Sequence, residues 1–291
     1  MAANLVIGVD VGGTKVLAGI VDRDGKVHET VERPTNISSQ EALFAETTEL
    51  VKQLLTPDVA AVGFGVPARV EQRTGFVYDA VNVPIGGVSL RDEMVKRLEL
   101  TIGVENDANA AAYAEYRLGV GRDVDRMIML TLGTGVGGGV VLGGALYRGW
   151  AELGHVVIVE DGEPCPGNCT GRGHVEAYCS GTAADRVANQ VLGPEATAHD
   201  LVEQKHPALD EIGHHLGVAV GSLVNIFNPE LVAIGGGFGV AAFDLLLPAM
   251  QPAVHREALA PGADELAIRP AELGASAGLI GAGLVAFDAV S

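Results

Sequence analysis

The sequence predicts an α/β protein made of two similar lobes. A strand, a glycine-rich turn and a second strand open the chain, and the same series begins again near Met127. Segments with the apolar periodicity of helices follow each opening. This duplication indicates two related lobes, which we place at residues 1–116 and 117–272. The last helix, within residues 273–291, is a candidate to pack on the first lobe.

The elements of the first lobe are predicted from local patterns. Short β-like apolar runs indicate strands, and the first three form an antiparallel meander. Helical spacing of apolar residues indicates the first helix, which Pro57 ends. Ser89 opens a second helix with a capping box, and Gly119 stops an alanine-rich third helix. In order, the predicted elements are strands at 5–10, 15–21 and 27–31, a helix at 40–55, a strand at 59–66, a helix at 89–98, a strand at 102–105 and a helix at 108–118.

The second lobe is predicted to open with two strands joined by the second glycine-rich turn. A long irregular segment, residues 152–172, then precedes a series of helices. The predicted elements are strands at 127–132 and 140–146 and helices near 182–192, 209–227, 240–250 and 275–287.

Composition excludes several classes of protein. Of the 291 residues, 48% are hydrophobic and 19% are charged, as in globular proteins. A net charge of −18 argues against nucleic acid or an anionic membrane as a partner. No leader-like segment opens the chain, and the longest apolar stretch, 275–287, is too short to span a bilayer. Three cysteines fit a reducing compartment and a metal site better than a disulfide framework, so we expect a cytoplasmic protein.

Three glycine-rich turns, at residues 10–15, 133–139 and 235–239, predict a site for a polyanion. Glycine exposes backbone N–H groups and lets a ligand approach closely. Because the protein is acidic overall, phosphate binding would depend on such N–H groups and on a metal ion. Plain hairpin turns are the alternative for any single one of them.

Two common phosphate motifs do not fit these turns. Thr14-Lys15 and a strand follow the first turn, where a P-loop has Lys-Ser/Thr and a helix. The second turn matches G-x-G-x-x-G at Gly133, Gly135 and Gly138, but a strand follows where a dinucleotide fold needs a helix.

Acidic residues at two strand ends are candidates for metal binding and catalysis. Asp10 offers a hard oxygen ligand to Mg²⁺, with turn capping as the alternative. Asn106-Asp107 lies where a strand meets a helix N-terminus, which favours an ionised carboxylate and provides a fixed base beside an amide. An ordinary helix cap is the alternative there.

The irregular segment holds a candidate metal site. His155, Cys165, Cys169 and His174 provide two imidazoles and two thiols within 20 residues, which suits tetrahedral zinc. Unligated cysteines and surface histidines are the alternative. Cys179 is expected to be a packed residue of a helix and not a ligand.

With its motifs in this order, the chain resembles the ROK family of sugar kinases, in particular the bacterial glucokinases. The resemblance extends from Asp10 to at least Gly237 and implies a two-lobed, actin-like (ribonuclease-H-like) ATPase fold with a zinc-binding loop. The three turns match two phosphate motifs and an adenosine motif. The implied nucleotide-binding residues are Asp10, Gly12, Gly13, Thr14, Lys15, Thr131, Gly133, Thr134, Gly135, Gly137, Gly138, Gly235, Gly236 and Gly237.

The zinc loop departs from the family pattern, H…C-x-C-G-x-x-G-C-x-E. Cys169 aligns with the middle cysteine and His174 replaces the last. Gly167 occupies the place of the first, with Cys165 two residues earlier. Whether His174 or Cys179 completes the site stays open. The implied zinc ligands are His155, Cys165, Cys169 and His174.

The resemblance implies transfer of the γ-phosphoryl group of ATP to a hexose, with the 6-hydroxyl of glucose as the expected acceptor. Asp107 would be the general base, Mg²⁺ would neutralise the phosphates, and zinc would be structural. A homodimer or homotetramer is also implied. The implied sugar-binding residues are Asn106, Asp107, Glu152, His155 and Glu176.

Other substrates and other functions stay open. Kinases for fructose, N-acetylmannosamine and allose share these motifs, and polyphosphate replaces ATP in some relatives. ROK repressors carry a DNA-binding segment ahead of this domain, whereas the first strand here begins at Leu5. A non-catalytic sugar-sensing module would lack the base, so the presence of Asp107 favours an enzyme.

Overall fold

The computed structural model describes residues 4–80, 82–166 and 169–291, which divide into two compact units. The predicted lobe boundary, near Tyr116, lies close to the end of the first segment of unit 1. Unit 1 comprises Met1–Leu118, Arg148–Trp150 and Ser276–Ser291, and unit 2 comprises Gly119–Tyr147 and Ala151–Ala275.

Thirteen strands and ten α-helices make up the described chain. In chain order they are β1 (Leu5–Val11), β2 (Lys15–Asp22), β3 (Val27–Pro34), α1 (Gln40–Leu54), β4 (Val59–Val66), β5 (Ala68–Glu71), β6 (Phe76–Ala80), β7 (Gly86–Ser89), α2 (Leu90–Leu98), β8 (Thr101–Asn106), α3 (Asp107–Leu118), β9 (Arg126–Leu132), β10 (Val136–Leu142), β11 (Ala145–Leu146), α4 (Val175–Cys179), α5 (Gly181–Leu192), α6 (Ala198–Glu203), α7 (Leu209–Phe227), β12 (Leu231–Gly235), α8 (Gly237–Glu257), α9 (Gly262–Glu265), β13 (Ala267–Pro270) and α10 (Ala277–Ala289).

Each unit contains a five-stranded sheet of the same design. The strand order is β3-β2-β1-β4-β8 in unit 1 and β11-β10-β9-β12-β13 in unit 2. In both sheets the first three strands are antiparallel neighbours, and the last two continue parallel to the third. The predicted α/β class and the predicted duplication are confirmed by this repeat.

Glycines let α10 pack very closely in unit 1. A Cβ on Gly8 of β1 or on Gly63 of β4 would lie 2.2 Å or 1.8 Å from a backbone carbonyl oxygen of α10. On the helix itself, a Cβ on Gly281 would lie 1.9 Å from the Ala110 carbonyl oxygen of α3. Since no side chain fits at these positions, glycine is what allows α10 to contact both the sheet and α3.

Helix α8 is buried in part against α7 in unit 2. A Cβ on Gly213 or Gly217 of α7 would lie 2.4 Å from an α8 carbonyl oxygen. Among the described residues, α8 is the one helix long and apolar enough to cross a membrane by length and composition. The core helix of a globular lobe passes the same test, so the feature is weak evidence for a membrane.

Two elements differ most from their predicted bounds. β10 is residues 136–142, whereas the sequence predicts a strand at 140–146. Gly137 and Gly138 are therefore strand residues, and pairing with β9 overrides the low strand propensity of glycine. α8 extends to Glu257, past the predicted end at Met250, and accommodates Pro252 within the helix.

Some short elements have no counterpart in the prediction. They include the three-stranded sheet β5-β6-β7 of unit 1 and, in unit 2, α6 and β13. Strands of four or five residues contain too few alternations for periodicity to detect them.

The packing of α10 predicts a large cost for one added methyl group. Gly63→Ala should lower the free energy of unfolding by about 1–3 kcal/mol or more, because its Cβ meets backbone atoms that cannot move aside. Gly65→Ala on the same strand is the control, since its Cβ would have ordinary contacts of 3.7 Å. Urea denaturation measures both, and equal losses would contradict the packing argument.

Candidate functional site

The junction between β8 and α3 positions Asn106 and Asp107. The Asn106 Oδ1 atom accepts the Asn109 backbone N–H at 3.0 Å, so Asn106 caps the helix. Asp107 is the first residue of α3, and its Oδ1 atom accepts the Ala108 N–H at 2.8 Å. The helix N-terminus favours the ionised carboxylate, and Asp107 is only partly buried. Asn106 can therefore cap α3 while the Asp107 carboxylate remains accessible as a base.

Asp10 lies at the same edge of the unit 1 sheet as this junction. In the parallel register Asp10 pairs with Gly65 of β4, whose next residue, Val66, pairs with Asn106 of β8. Carboxyl ends of parallel strands are a common place for ligands in α/β proteins. The residues predicted for metal and base are thus brought to one edge of unit 1.

Desolvation raises the pKa of Asp10 above its usual value, and the charge of Lys15 lowers it in part. Gly278, at the start of α10, lies against this carboxylate, since a Cβ there would be 2.7 Å from Asp10 Oδ2. A bound cation would stabilise the charged form of a carboxylate in such a place.

The first glycine turn is closed by backbone hydrogen bonds. The Gly12 N–H donates to the Lys15 carbonyl at 2.9 Å, and the Thr35 hydroxyl donates to the Gly12 carbonyl at 2.6 Å. The Lys15 ammonium pairs with Glu32 at 2.6 Å, and both side chains are exposed. Exposed ion pairs contribute little, so this pair offers weak competition to a phosphate for the lysine.

The second and third glycine turns lie side by side in unit 2. Thr131 of β9 pairs with Gly137 of β10 on one side and with Gly235 of β12 on the other. Gly236 has a φ of +80° and leads directly into α8. A helix N-terminus next to a glycine turn presents N–H groups to an anion.

Several of these glycines also serve packing. A Cβ on Gly138 would lie 2.7 Å from Leu153, and one on Gly236 would lie 2.4 Å from the Leu132 carbonyl oxygen. Around Gly133 and Gly237, by contrast, a Cβ would meet nothing within 4 Å. Only some of the predicted nucleotide-binding glycines therefore leave open space for a ligand.

Glu176 of α4 contacts the second turn directly. Its Oε2 atom accepts the Val136 N–H at 2.8 Å. A Cβ on Gly135 would lie 2.3 Å from the same oxygen, so glycine there makes room for the carboxylate. The turn is also tied to α5, where the Gly181 N–H donates to the Gly133 carbonyl at 2.7 Å. The predicted phosphate turn and a predicted sugar contact are therefore neighbours.

Glu152 and His155 are held by a 3-10 turn over Leu153–His155. Gly154 packs tightly on β10, where a Cβ would lie 2.0 Å from the Val136 carbonyl oxygen. This contact places both side chains beside the start of β10, and both remain exposed.

The four predicted zinc ligands converge in unit 2. One ligand atom from each of His155, Cys165, Cys169 and His174 can be chosen so that all four lie within 4.8 Å of one another. The two Nδ1 atoms are 3.3 Å apart, and sulfur-to-nitrogen distances are 3.7 Å for Cys165 with His155 and 3.6 Å for Cys169 with His174. Tetrahedral zinc with ordinary bond lengths separates two nitrogens by about 3.3 Å and a nitrogen from a sulfur by about 3.6 Å. The donor set fits that ion.

Among the described residues, the convergent group includes His174 and leaves out Cys179. Cys179 is fully buried in α4, and its thiol faces the Ile212 carbonyl at 3.8 Å. Burial raises the pKa of Cys165 to about 12, with further contributions from Cys169 and Glu176. A cation would be needed to hold that thiol as a thiolate. Gly167 and Asn168, which the family pattern concerns, lie outside the described residues.

Comparison with known proteins places the chain among sugar kinases. The sequence model of the ROK family matches residues 6–289. The glucokinase of Halalkalibacterium halodurans is 34% identical over 97% of this chain and 95% of its own length. The glucokinase of Streptomyces coelicolor is 34% identical over 96% of each chain. The solved structure of a ROK family glucokinase from Streptomyces griseus in complex with glucose and AMPPNP is 32% identical, with a TM-score of 0.83 over 98% of this chain and 99% of that one.

Proposed function

The chain belongs to the ROK family, and from this premise we propose that it transfers the γ-phosphoryl group of ATP to the 6-hydroxyl of glucose. The relatives at 34% identity are glucokinases, and the neighbour at 32% identity binds glucose together with AMPPNP, an analogue of ATP. The observation that carries the proposal is Asp107, a partly buried carboxylate on the first turn of α3, next to an amide side chain fixed by helix capping. A sugar-binding module would have no use for a base held this way.

In the proposed mechanism Asp107 accepts the proton of the attacking hydroxyl as its oxygen bonds to the γ-phosphorus. The bond between that phosphorus and the bridging oxygen breaks, and ADP leaves with the electron pair. Asn106, Glu152, His155 and Glu176 orient the sugar through hydrogen bonds to its other hydroxyls. The nucleotide phosphates bind to N–H groups of the glycine turns, and α8 contributes its N-terminus. Asp10 is the residue that would hold Mg²⁺, which neutralises phosphate charge when bound with ATP.

The zinc cluster has a structural role in this proposal. Four protein ligands would leave no open coordination position, so the ion would not take part in the reaction. Bound zinc would fix the loop that carries His155 and lies against Glu176. Since ATP and hexose are found together inside the cell, we propose that the enzyme works in the cytoplasm.

A panel of hexoses tested with either ATP or polyphosphate measures the activity directly. We expect sugar phosphate to form fastest from glucose and ATP. Faster reaction with fructose, N-acetylmannosamine, allose or polyphosphate would replace the proposed substrate or donor, and binding without any transfer would favour a sugar sensor.

The base assignment predicts a loss of turnover without a loss of binding. Asp107→Asn should lower kcat by about 10²-fold or more and leave glucose affinity nearly unchanged, because the amide keeps the shape of the carboxylate but cannot accept the proton. Asp92→Asn is a matched control, since Asp92 is also in the first turn of a unit 1 helix. Near-native turnover in Asp107→Asn would remove the base assignment.

The metal assignment predicts about one zinc ion per chain in the purified protein. Cys169→Ser and His174→Ala should each lose the metal and weaken sugar binding, since the ion connects loops beside Glu152 and Glu176. Cys179→Ser should keep both, because that thiol lies outside the cluster. Elemental analysis with sugar titration checks this, and full zinc occupancy in His174→Ala would exclude His174 as a ligand.

The contact between Gly135 and Glu176 predicts a mutation that affects both substrates. Gly135→Ala should raise the apparent KM for ATP and for glucose together, because the new methyl group displaces the Glu176 carboxylate. Gly133→Ala should leave the KM for glucose unchanged, since its Cβ meets no protein atom within 4 Å. Steady-state kinetics compares the two variants. An effect of Gly135→Ala on ATP alone would contradict the coupling.

A further inference from the structure

Glu105 is a buried acid immediately before the proposed sugar-binding and catalytic pair. It lies on β8, is 3% exposed, and one of its oxygens, Oε1, accepts three hydrogen bonds. The donors are the Gln72 side-chain amide at 3.1 Å, the Asn106 backbone N–H at 2.9 Å and the Asn109 side-chain amide at 3.1 Å. A carboxylate taken out of water is costly unless such donors compensate it.

These donors come from three separate parts of unit 1. Gln72 follows β5, Asn106 ends β8, and Asn109 is in the first turn of α3. Gln72 is itself held in place, because Arg91 of α2 donates to its carbonyl oxygen at 2.8 Å. Glu105 thus connects the loop after β5 with the start of α3, and Arg91 connects that loop with α2.

Three hydrogen bonds hold Asn106, one of them to Glu105. Its backbone N–H is bound by Glu105, its Oδ1 atom caps α3, and its Nδ2 atom donates to the Ala68 carbonyl at 3.3 Å. The residue immediately before Asp107 is therefore held by its backbone N–H and by both polar atoms of its side chain.

We propose that Glu105 is a positioning residue that, through its Oε1 atom, fixes the β8–α3 junction in the orientation that Asp107 needs for proton transfer. This inference rests on the proposed function of Asp107. The acceptor role belongs to one oxygen atom, and a glutamine side chain carries an oxygen at the same place. Burial also raises the pKa of Glu105 above its usual value, against the effect of the donors and of Arg148, which is consistent with a role that does not require a negative charge.

Removal of the side chain would leave its donors without an acceptor. Gln72 is 8% exposed and Asn109 is 1% exposed, so water would not readily replace Glu105. The Asn109 Oδ1 atom already lacks a hydrogen-bond partner among the described residues. The junction would then lose its fixed geometry, and small displacements of a catalytic group are expensive in rate.

The first experiment compares Glu105→Ala with Glu105→Gln, far below their melting temperatures. Glu105→Ala should lower kcat by about 10-fold or more, and Glu105→Gln should restore most of the loss. Leu50→Ala, a core change on α1, which takes no part in the hydrogen bonds of the junction, is the control for lost stability and should keep kcat. Native kcat in Glu105→Ala, or equal losses in the alanine and glutamine variants, would overturn the inference.

A double-mutant cycle separates positioning from a general structural effect. If Glu105 acts through Asp107, adding Glu105→Ala to Asp107→Asn should reduce kcat by less than about 3-fold further. A full multiplicative loss in the double variant would show that Glu105 does not act through the base.

Amide hydrogen exchange tests the inference without reference to activity. The Asn106 and Asn109 N–H groups should exchange faster in Glu105→Ala than in the native protein, and Glu105→Gln should retain their protection. Unchanged exchange in Glu105→Ala would overturn the positioning role. A native protein that phosphorylates no hexose would instead refute the proposed function, while the exchange result would still decide whether Glu105 orders the junction.

Discussion

The constraint on which unit 1 depends is the close approach of α10 to its neighbours. Glycines on β1, β4 and α10 remove the side chains that would otherwise hold helix and sheet apart. With α10 in place, Ala110 of α3 lies directly against the helix, so α3 is positioned relative to the strands. Asp10 and Asp107 are at the ends of elements that this packing fixes, β1 and α3. The positions of the proposed metal ligand and base thus depend on glycines that take no part in the proposed reaction.

In unit 2, Glu176 connects the second glycine turn with the loop that carries Cys165. One of its carboxylate oxygens accepts the Val136 N–H, and the other lies 3.8 Å from the Cys165 sulfur. A carboxylate shared in this way connects the predicted phosphate turn with the His/Cys cluster, so a change at Glu176 would affect both. The absent side chain at Gly135 is the condition for that contact.

Much of this could be predicted from the sequence, because the strongest signals are local. Short apolar runs located β1, β2 and β4, and the strand-to-helix junction located Asn106 and Asp107. The candidate metal cluster could also be predicted, since its four possible donors lie within 20 residues of one another. The departure from the family pattern is compatible with this geometry, because the Cys165 sulfur lies 3.7 Å from the His155 Nδ1 atom.

What could not be predicted depends on contacts between distant residues. Gly137 and Gly138 appear in sequence as turn residues, and only pairing with β9 makes them part of a strand. Glu105 looks like an ordinary residue at the end of a strand, because Gln72 lies 33 positions away and no local pattern links them. Glu105 accepts its three hydrogen bonds because it is buried beside their donors, and its burial depends on the fold.

An acidic protein that binds a polyanion must provide positive potential locally. With a net charge of −18, the overall field repels ATP, so attraction has to come from short-range groups. Lys15 lies in an exposed pair with Glu32, which a phosphate could break at little cost. The remaining attraction would come from backbone N–H groups of the glycine turns and from the N-terminus of α8, whose partial charges do not depend on pH. Such groups act only within a few ångströms, so glycine, which allows the closest approach, would be needed at the open positions Gly133 and Gly237.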